Sequence, residues 1–298
     1  NVFALVNGFR SFNQWWPWIS PGLDVEYIVE GPDFGAGSRL SWTSGNPQIG
    51  SGYHEIVTSD PYRRVVSRLG LGETRTASVV YEIEAEDEGS AVRWSASMKL
   101  GRSPVSRYLG LMYGRWIGAD FEVGLTNLAA LAASLPSVDW TDLEIELMVV
   151  ESQPLIYASS SSSWDVAEIG EAFDEARSQI VRYIEANELE PSGPPVAITT
   201  GVSDAEWQFD TGIPVIALPE IELDIDSPVK FGETREGRVA RATSVGPYAG
   251  LASDWDKVRA WLAAHGFEEA GLPWEEYVSA PVDAPEEELV THLYMPIR

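Results

Sequence analysis

The second half of this chain contains one residue pattern twice, with an offset of 78 positions. Each copy has an apolar-periodic helix that is followed by Gly-x-Pro and a strand. A run typical of a strand precedes each helix, Leu155–Ser159 in the first copy and Arg238–Ser244 in the second. A repeat of this length indicates a supersecondary unit that packs against its own copy. The matching positions are Tyr183 and Trp261, Ile184 and Leu262, Leu189 and Phe267, Gly193 and Gly271, and Pro195 and Pro273.

Each copy also closes on a strand of similar sequence, Gly212–Val215 in the first and Tyr294–Ile297 in the second. The sequence therefore predicts two β-α-β-β units that form one pseudo-symmetric tandem domain. Tandem units of this kind commonly place small-molecule sites at the junction between the copies, so we expect a cleft there.

The first part of the chain has a different pattern. A short helix is predicted over Val2–Phe12, and the segments after it alternate apolar and polar residues as half-buried strands do. A long helix follows, and its apolar residues form one stripe, which consists of Ile117, Phe121, Leu125, Leu128, Leu131 and Leu135. These elements predict a curved antiparallel sheet around a long C-terminal helix, and the chain as a whole is assigned to the α+β class.

The charge of the chain changes at the same place as its pattern. Residues 1–140 hold 15 acidic and 11 basic side chains, whereas residues 141–298 hold 31 acidic and 9 basic ones. Pro136 directly follows the long helix, and proline near a helix end is a stop signal. We therefore predict two domains, 1–140 and 141–298.

The net charge of −26 argues against nucleic acids and anionic membrane surfaces as partners, because both require Lys and Arg. Cationic partners are favoured instead. The absence of cysteine excludes disulfides and thiolate zinc sites, and the three histidines, His54, His265 and His292, have no metal-binding spacing. We expect no metal and no cofactor.

No apolar stretch approaches the length of about 18 residues that a bilayer span needs. The chain begins at Asn1, already inside the first predicted helix, so an upstream segment is expected to have been removed or left out. The expected location is the cytoplasm. The alternative is tethering to a membrane, if that upstream segment is an anchor.

Three motifs characterise the first domain: Gly118-Ala119-Asp120-Phe121-Glu122-Val123-Gly124-Leu125-Thr126-Asn127-Leu128, Phe12-x-x-Trp15-x-Pro17-Trp18, and Gly35-x-Gly37-x-x-x-x-Trp42. With these motifs it resembles the polyketide-cyclase/START-like (SRPBCC) helix-grip superfamily. Members of that superfamily normally open with a strand that precedes the first helix, and this opening strand is missing from the sequence. The superfamily includes binders, transporters and enzymes, so the resemblance implies a fold rather than a chemistry.

The second domain has four motifs: Trp207-x-Phe209 before Ile213-Pro214-Val215, Gly246-Pro247-Tyr248, Trp274-Glu275-x-Tyr277, and Thr291-x-Leu293-Tyr294-x-Pro296. With these motifs it resembles the GyrI-like, AraC-type effector-binding domain. One position departs from the family, which often has histidine where this chain has Ser244.

The second resemblance implies a cleft that receives flat, cationic or amphipathic molecules, with an acidic residue at its floor. By position that residue is Glu275. Some members of the family are hydrolases that open strained cyclopropane rings with such a glutamate and nearby aromatic residues. If this chain hydrolyses its ligand, we expect Glu275 to act as a general base on water or to stabilise developing positive charge, with Tyr277 or Tyr248 as the donor. The predicted ligand-binding residues are Glu275, Tyr248, Tyr157, Trp207, Phe209, Trp274 and Tyr294.

Strand alternation supports Glu275 independently of the family, because it places Glu275 and Tyr277 on one strand face. The competing interpretation is a solvated glutamate in an acidic chain. Tyr248 can equally be a helix-start packing residue, and Trp207 and Phe209 can belong to the core.

The function predicted from the sequence is binding of an amphipathic or cationic xenobiotic in the second domain, with hydrolysis by a cleft glutamate left open. The first alternative is a sensor or sequestering protein without turnover. The second alternative is a hydrophobic-ligand carrier that acts through the helix-grip domain.

Overall fold

The computed structural model describes residues 1–18, 25–46, 50–72, 75–87, 89–98, 104–220, 223–224, 227–279 and 284–298, with side chains throughout except in 104–117. The chain divides into two compact units, Asn1–Ser137 with Ala260–Phe267, and Val138–Arg259 with Glu268–Arg298. The domain limits 1–140 and 141–298 remain a prediction from the sequence.

The first unit contains one antiparallel sheet and a long helix. Two short helices, α1 and α2, precede the sheet, and consecutive strands are neighbours in it, in the order β1-β2-β3-β4-β5-β6. This is the helix-grip architecture that the sequence predicts. The elements are α1 (Val2–Val6), α2 (Phe12–Trp15), β1 (Val25–Glu30), β2 (Arg39–Ser44), β3 (Ser51–Asp60), β4 (Arg64–Leu71), β5 (Arg75–Glu86), β6 (Gly89–Met98) and α3 (Pro104–Ser134).

The tryptophan-rich part of the first unit is core. Trp15 of α2 and Tyr81 of β5 are almost fully buried, and the Trp94 ring stacks on Phe121 of α3 with centroids 4.2 Å apart. The helix stripe packs on this cluster as predicted, through Phe121, Leu125, Leu128, Leu131 and Leu135, while the side chain of Ile117 lies outside the described residues.

The helix predicted over Val2–Phe12 ends at Val6, and α2 begins only at Phe12. Gly8 stands between α1 and α2 and forms an isolated bridge with Phe34. A Cβ atom on Gly8 would approach the Asp33 carbonyl oxygen to 3.3 Å, so the missing side chain permits this close approach of two backbones.

The second unit contains one eight-stranded antiparallel sheet in the order β11-β8-β10-β9-β13-β14-β12-β7. Strand β8, helix α4 and strands β9 and β10 form the first repeat, and β12, α5, β13 and β14 form the second. The predicted tandem of β-α-β-β units is therefore confirmed. The elements are β7 (Glu144–Val150), β8 (Pro154–Ser162), α4 (Val166–Ala186), β9 (Val196–Val202), β10 (Trp207–Pro214), β11 (Lys230–Glu233), β12 (Gly237–Val245), α5 (Leu251–His265), β13 (Trp274–Tyr277) and β14 (Val290–Pro296).

The two edge strands are exchanged between the repeats. Strand β7 directly precedes β8 in the chain but pairs with β12, while β11 precedes β12 but pairs with β8. Three residues connect β7 to β8 and reach at most about 14 Å, whereas six strand spacings across a flat sheet measure about 29 Å. The sheet must therefore curl until its edges approach each other.

The curled sheet has two distinct faces. Helix α4 packs on one of them, where Ala176, Ile180 and Ile184 contact Ile156 and Ala158 of β8, and we call this the helix face. The opposite face, here called the inner face, holds a cluster that contains residues of both β7 and β8, namely Met148, Val150, Leu155, Tyr157, Val196, Ile198, Val239, Trp274 and Tyr294.

Candidate functional site

Glu275 lies in the middle of the eight-stranded sheet, on the helix face. Its side chain is buried, with 8% of the residue exposed. Trp255 Nε1 donates to Glu275 Oε1 at 2.8 Å, and the Tyr277 hydroxyl donates to Oε2 at 2.6 Å. One donor therefore fixes each carboxylate oxygen.

The local sequence explains how these three side chains meet. Alternation along β13 places Glu275 and Tyr277 on the same face, as predicted. Helix α5 follows a short 3-10 turn at Tyr248–Gly250, and Trp255 on its buried side reaches the carboxylate from above.

Small side chains lie beside Glu275 in the direction of β9, whereas Leu293 of β14 pairs with it on the other side. Ala197 of β9 lies directly opposite it, Thr211 of β10 lies opposite Ala197, and Ala158 of β8 lies opposite Thr211. Paired residues of antiparallel strands point to the same face, so this row forms a floor of methyl-sized groups beside the carboxylate.

Aromatic rings line the site above this floor. The Tyr277 ring lies 4.7 Å from the Phe173 ring and 5.4 Å, edge-on, from the Tyr248 ring. Trp207 and Phe209 stack on each other at 4.3 Å in the same cluster as Phe173. Such surroundings suit a flat or cationic ligand, because ring faces attract cations.

Burial sets the electrostatics of the site. It raises the pKa of Glu275, and the hydrogen bonds from Tyr277 and Trp255 lower that pKa in part. Burial and the neighbouring Glu275 hold the pKa of Tyr277 well above 10, so its hydroxyl stays a donor. Burial and Asp174 also raise the pKa of Tyr248. Within the described part of the chain, Glu275 forms no ion pair.

The repeat places Glu275 on a local pseudo-twofold axis. An offset of 78 relates Ala197 to Glu275, and these two residues are paired with each other. Two backbone hydrogen bonds flank the pair and exchange under the same offset, Tyr277 N to Pro195 O at 2.9 Å and Thr199 N to Pro273 O at 3.1 Å. The carboxylate therefore belongs to one copy alone.

The structure divides the predicted catalytic and ligand-binding residues between two faces. It brings Glu275, Tyr277, Tyr248, Trp207 and Phe209 together on the helix face. The other three, which are Tyr157, Trp274 and Tyr294, lie in the cluster on the inner face, where Trp274 and Tyr294 stack at 4.9 Å.

Two residues of the site were missing from the sequence-based set. Trp255 lies on the apolar stripe of α5, two helical turns after Tyr248, and Phe173 lies on the corresponding stripe of α4. Their helical spacing marked them as buried, but only the packing of both helices on one face shows that they reach β13.

Among the described residues, no three side chains of a metal-binding type come together. No helix in the same part of the chain combines the length and the apolar character that a membrane span requires.

Comparisons with known proteins match both parts of the chain. Residues 144–298 match the model described as a GyrI-like small molecule binding domain, and residues 1–133 match the model described as polyketide cyclase / dehydrase and lipid transport. No curated protein matches the chain.

Several solved structures are similar to about half of this chain. The crystal structure of the EcmrR C-terminal domain is 13% identical, with a TM-score of 0.45 and coverage of 52% of this chain and 98% of that one. A hydrolase from Listeria innocua is 16% identical, with a TM-score of 0.39, and the match covers 52% of this chain and 92% of that one. SAV2435 bound to tetraphenylphosphonium is 10% identical, with a TM-score of 0.36, and the match covers 52% of this chain and 94% of that one.

Proposed function

Since this chain belongs to the GyrI-like small-molecule-binding family through residues 144–298, we propose that it binds an amphipathic monovalent cation at Glu275. One observation carries the proposal. The Glu275 carboxylate is buried among aromatic rings, and its hydrogen-bond donors in the described structure, Trp255 and Tyr277, are both neutral.

The energetics favour a cationic ligand there. A buried carboxylate without a counter-charge is unfavourable, which is why burial raises the pKa of Glu275. A ligand cation 4 Å away would gain about 4 kcal/mol at an effective dielectric constant near 20, against about 1 kcal/mol in water. The rings of Tyr248 and Tyr277 can add about 0.5–2 kcal/mol through cation–π contact.

Hydrolysis at the same site is the second candidate, and the raised pKa of Glu275 favours it. A carboxylate whose pKa is raised towards neutrality is a better general base, and here it would take a proton from the attacking water. Tyr277 or Tyr248 would donate to the leaving atom. Turnover of an electrophilic ligand distinguishes this candidate from a sensor or sequestering protein.

The experiment is a calorimetric titration of the full chain with tetraphenylphosphonium, a lipophilic cation without hydrogen-bond donors. Triphenylphosphine oxide is its neutral counterpart. We expect the cation to bind, and Glu275→Gln to weaken its binding by about 1–3 kcal/mol, because the substitution removes the charge at nearly constant size.

Asp256→Asn is the matched control, since it removes one negative charge from an exposed position next to Trp255. We expect it to change affinity by less than about 0.5 kcal/mol, because exposed charges are screened. Equal affinity of wild type and Glu275→Gln for the cation, or equal affinity of the wild type for both probes, would refute the proposal.

A further inference from the structure

A second cluster of ionisable side chains lies on the inner face, behind the strand that carries Glu275. Glu276 follows Glu275 in β13, so its side chain points to the opposite face. Its Oε2 atom accepts hydrogen bonds from His292 Nδ1 at 2.9 Å and from the Tyr294 hydroxyl at 3.0 Å. Strand register produces this arrangement, because Glu276 pairs directly with His292 of β14.

The bond to Glu276 determines which nitrogen of His292 is available. A neutral imidazole that donates from Nδ1 carries its free lone pair on Nε2. In the described structure, no hydrogen bond is formed at Nε2. The side chains of His292 and Glu276 are 20% and 23% exposed, so the pair is partly open to solvent. The result is a partly exposed imidazole that has a free lone pair on Nε2 and a carboxylate behind it.

In the described structure, the other two histidines have no carboxylate partner. Burial lowers the pKa of His54 to about 3, and its Nε2 atom contacts the Ser67 hydroxyl at 2.6 Å. Burial also lowers the pKa of His265 to about 4, and its ring stacks on Trp261 at 4.1 Å. His292 is thus chemically distinct among the three.

Further contacts hold the carboxylate of Glu276 in place. Tyr294, one of its donors, stacks on Trp274 at 4.9 Å with nearly parallel rings. Burial, with Glu276 next in importance, raises the pKa of Tyr294 to about 12, so this hydroxyl remains a donor near neutral pH. Arg241 pairs with Glu146 and also interacts with Tyr294. Glu276 is therefore fixed before any ligand arrives.

We propose that His292 is a nucleophile for acyl transfer from small activated esters, with Glu276 as its positioning residue. Nε2 attacks the carbonyl carbon, the N–C bond forms, and the ester C–O bond breaks with release of the phenolate or alkoxide. Water then attacks the acyl carbon and the N–C bond breaks. The acid leaves, and one proton of that water goes to the released phenolate or alkoxide.

Glu276 contributes through the other nitrogen of the ring. While Nε2 is acylated, the ring carries positive charge and the Nδ1 proton remains in the hydrogen bond to Glu276. A carboxylate 2.9 Å away stabilises that charge and keeps the ring in the reactive tautomer.

The test uses the full chain and p-nitrophenyl acetate, with release of p-nitrophenolate as the signal. We expect the wild type to exceed equimolar free imidazole by about tenfold or more, and His292→Gln to lose about tenfold or more. Hydroxylamine should release the acyl group as acetohydroxamic acid, and in a parallel sample without hydroxylamine, peptide mass spectrometry should place an acetyl group on the peptide that contains His292. Asp256→Asn, at an exposed position on α5, is the control.

The positioning role of Glu276 has its own readout, rescue by the conservative variant. Glu276→Gln keeps an acceptor for Nδ1 but removes the charge, so the rate of p-nitrophenolate release should fall, and Glu276→Asp should restore part of that rate. Thr243 pairs with His292, and Glu144 pairs with Thr243, so both continue the row of paired residues that starts at Glu276. Tyr294 lies beside this row. All three residues are unchanged in these variants.

Three results would each overturn the proposal. The wild-type rate could equal that of free imidazole, His292→Gln could retain the wild-type rate, or the acetyl group found without hydroxylamine could lie on another residue. The test makes no use of the Glu275 site, so its outcome is independent of the cation-binding proposal.

Discussion

Replacing Tyr277 with phenylalanine removes one hydroxyl group from the Glu275 site and keeps the aromatic wall. That hydroxyl donates to Glu275 Oε2 at 2.6 Å, and both groups are shielded from water. After the replacement, the carboxylate retains the hydrogen bond from Trp255 to its other oxygen. We expect a less stable protein with an otherwise intact site.

The magnitude follows from the type of hydrogen bond that is lost. A short O–H···O⁻ bond belongs to the strong, charge-assisted class, and hydrogen bonds to charged groups contribute about 1.5–3 kcal/mol. Tyr277→Phe should therefore lower the free energy of unfolding by about 2 kcal/mol where Glu275 is ionised. Where the carboxyl group is protonated the bond is neutral, and the loss should fall to about 1 kcal/mol.

The pH dependence has a definite sign. Burial raises the folded-state pKa of Glu275 above its ordinary value of 4.5, so the folded protein holds this proton more tightly than the unfolded chain does. Ionisation of Glu275 therefore reduces the free energy of unfolding as the pH rises from 4.5 to the higher folded-state pKa. Removing the Tyr277 donor raises the pKa further, and the destabilisation by Tyr277→Phe should grow with pH.

The assay is a double-mutant cycle of Tyr277→Phe and Glu275→Gln, measured by urea unfolding with circular dichroism at pH 8 and at pH 5.5. The coupling free energy isolates the pair. Tyr62→Phe, which removes an exposed hydroxyl, is the control and should change stability by less than about 0.5 kcal/mol. A coupling below about 0.5 kcal/mol at both pH values would show that the hydroxyl does not stabilise the carboxylate.

Three further predictions concern single elements. Because burial lowers the folded-state pKa of His54 to about 3 from 6.5, stability should fall as the pH drops through that window, and the His54 proton resonances should not titrate between about pH 5 and pH 8. Asp165 caps α4 by accepting from two backbone N–H groups, so Asp165→Ala should cost about 1 kcal/mol in urea unfolding, with no loss indicating an unimportant cap. Gly31 and Gly35 both have positive φ, near 80°, but a Cβ atom would overlap the Gly37 carbonyl oxygen only at Gly31. Gly31→Ala should therefore lower the melting temperature by several degrees more than Gly35→Ala, and equal shifts would contradict the steric argument.

The parts of the site that could be predicted from the sequence are those set by local periodicity. Alternation within Trp274–Tyr277 was enough to place Glu275 and Tyr277 on one face. The repeat was enough to predict the order of strands and helices within each β-α-β-β unit, while the edge strands β7 and β11 lie outside that pattern. Both inferences depend on neighbours in the chain, which is why they agree with the structure.

The parts that could not be predicted depend on contacts between distant segments. Trp255 reaches Glu275 because α5 packs on the same face of the sheet, and no spacing within α5 shows this. The exchange of β7 and β11 between the repeats also has no local signal, because pairing partners are chosen by tertiary packing. The inner-face position of Trp274, in contrast, could be predicted from the sequence. Trp274 precedes Glu275 by one residue in the strand, so its side chain must point to the opposite face.

The pairing of Ala197 with Glu275 has a consequence for how such a site can arise. If each repeat were a separate chain, two identical copies would meet at the same axis, and exchange of their edge strands would hold them together as a symmetric dimer. Every residue on that axis would then face itself. A glutamate there would confront a second glutamate across the strands, at a Cβ separation of about 4.5–5.5 Å, and the two negative charges would repel each other in a dry setting. Fusion of both copies into one chain removes this restriction, because each half can mutate independently. A single negative charge can then occupy the axis, where a symmetric dimer could place only two negative charges or none.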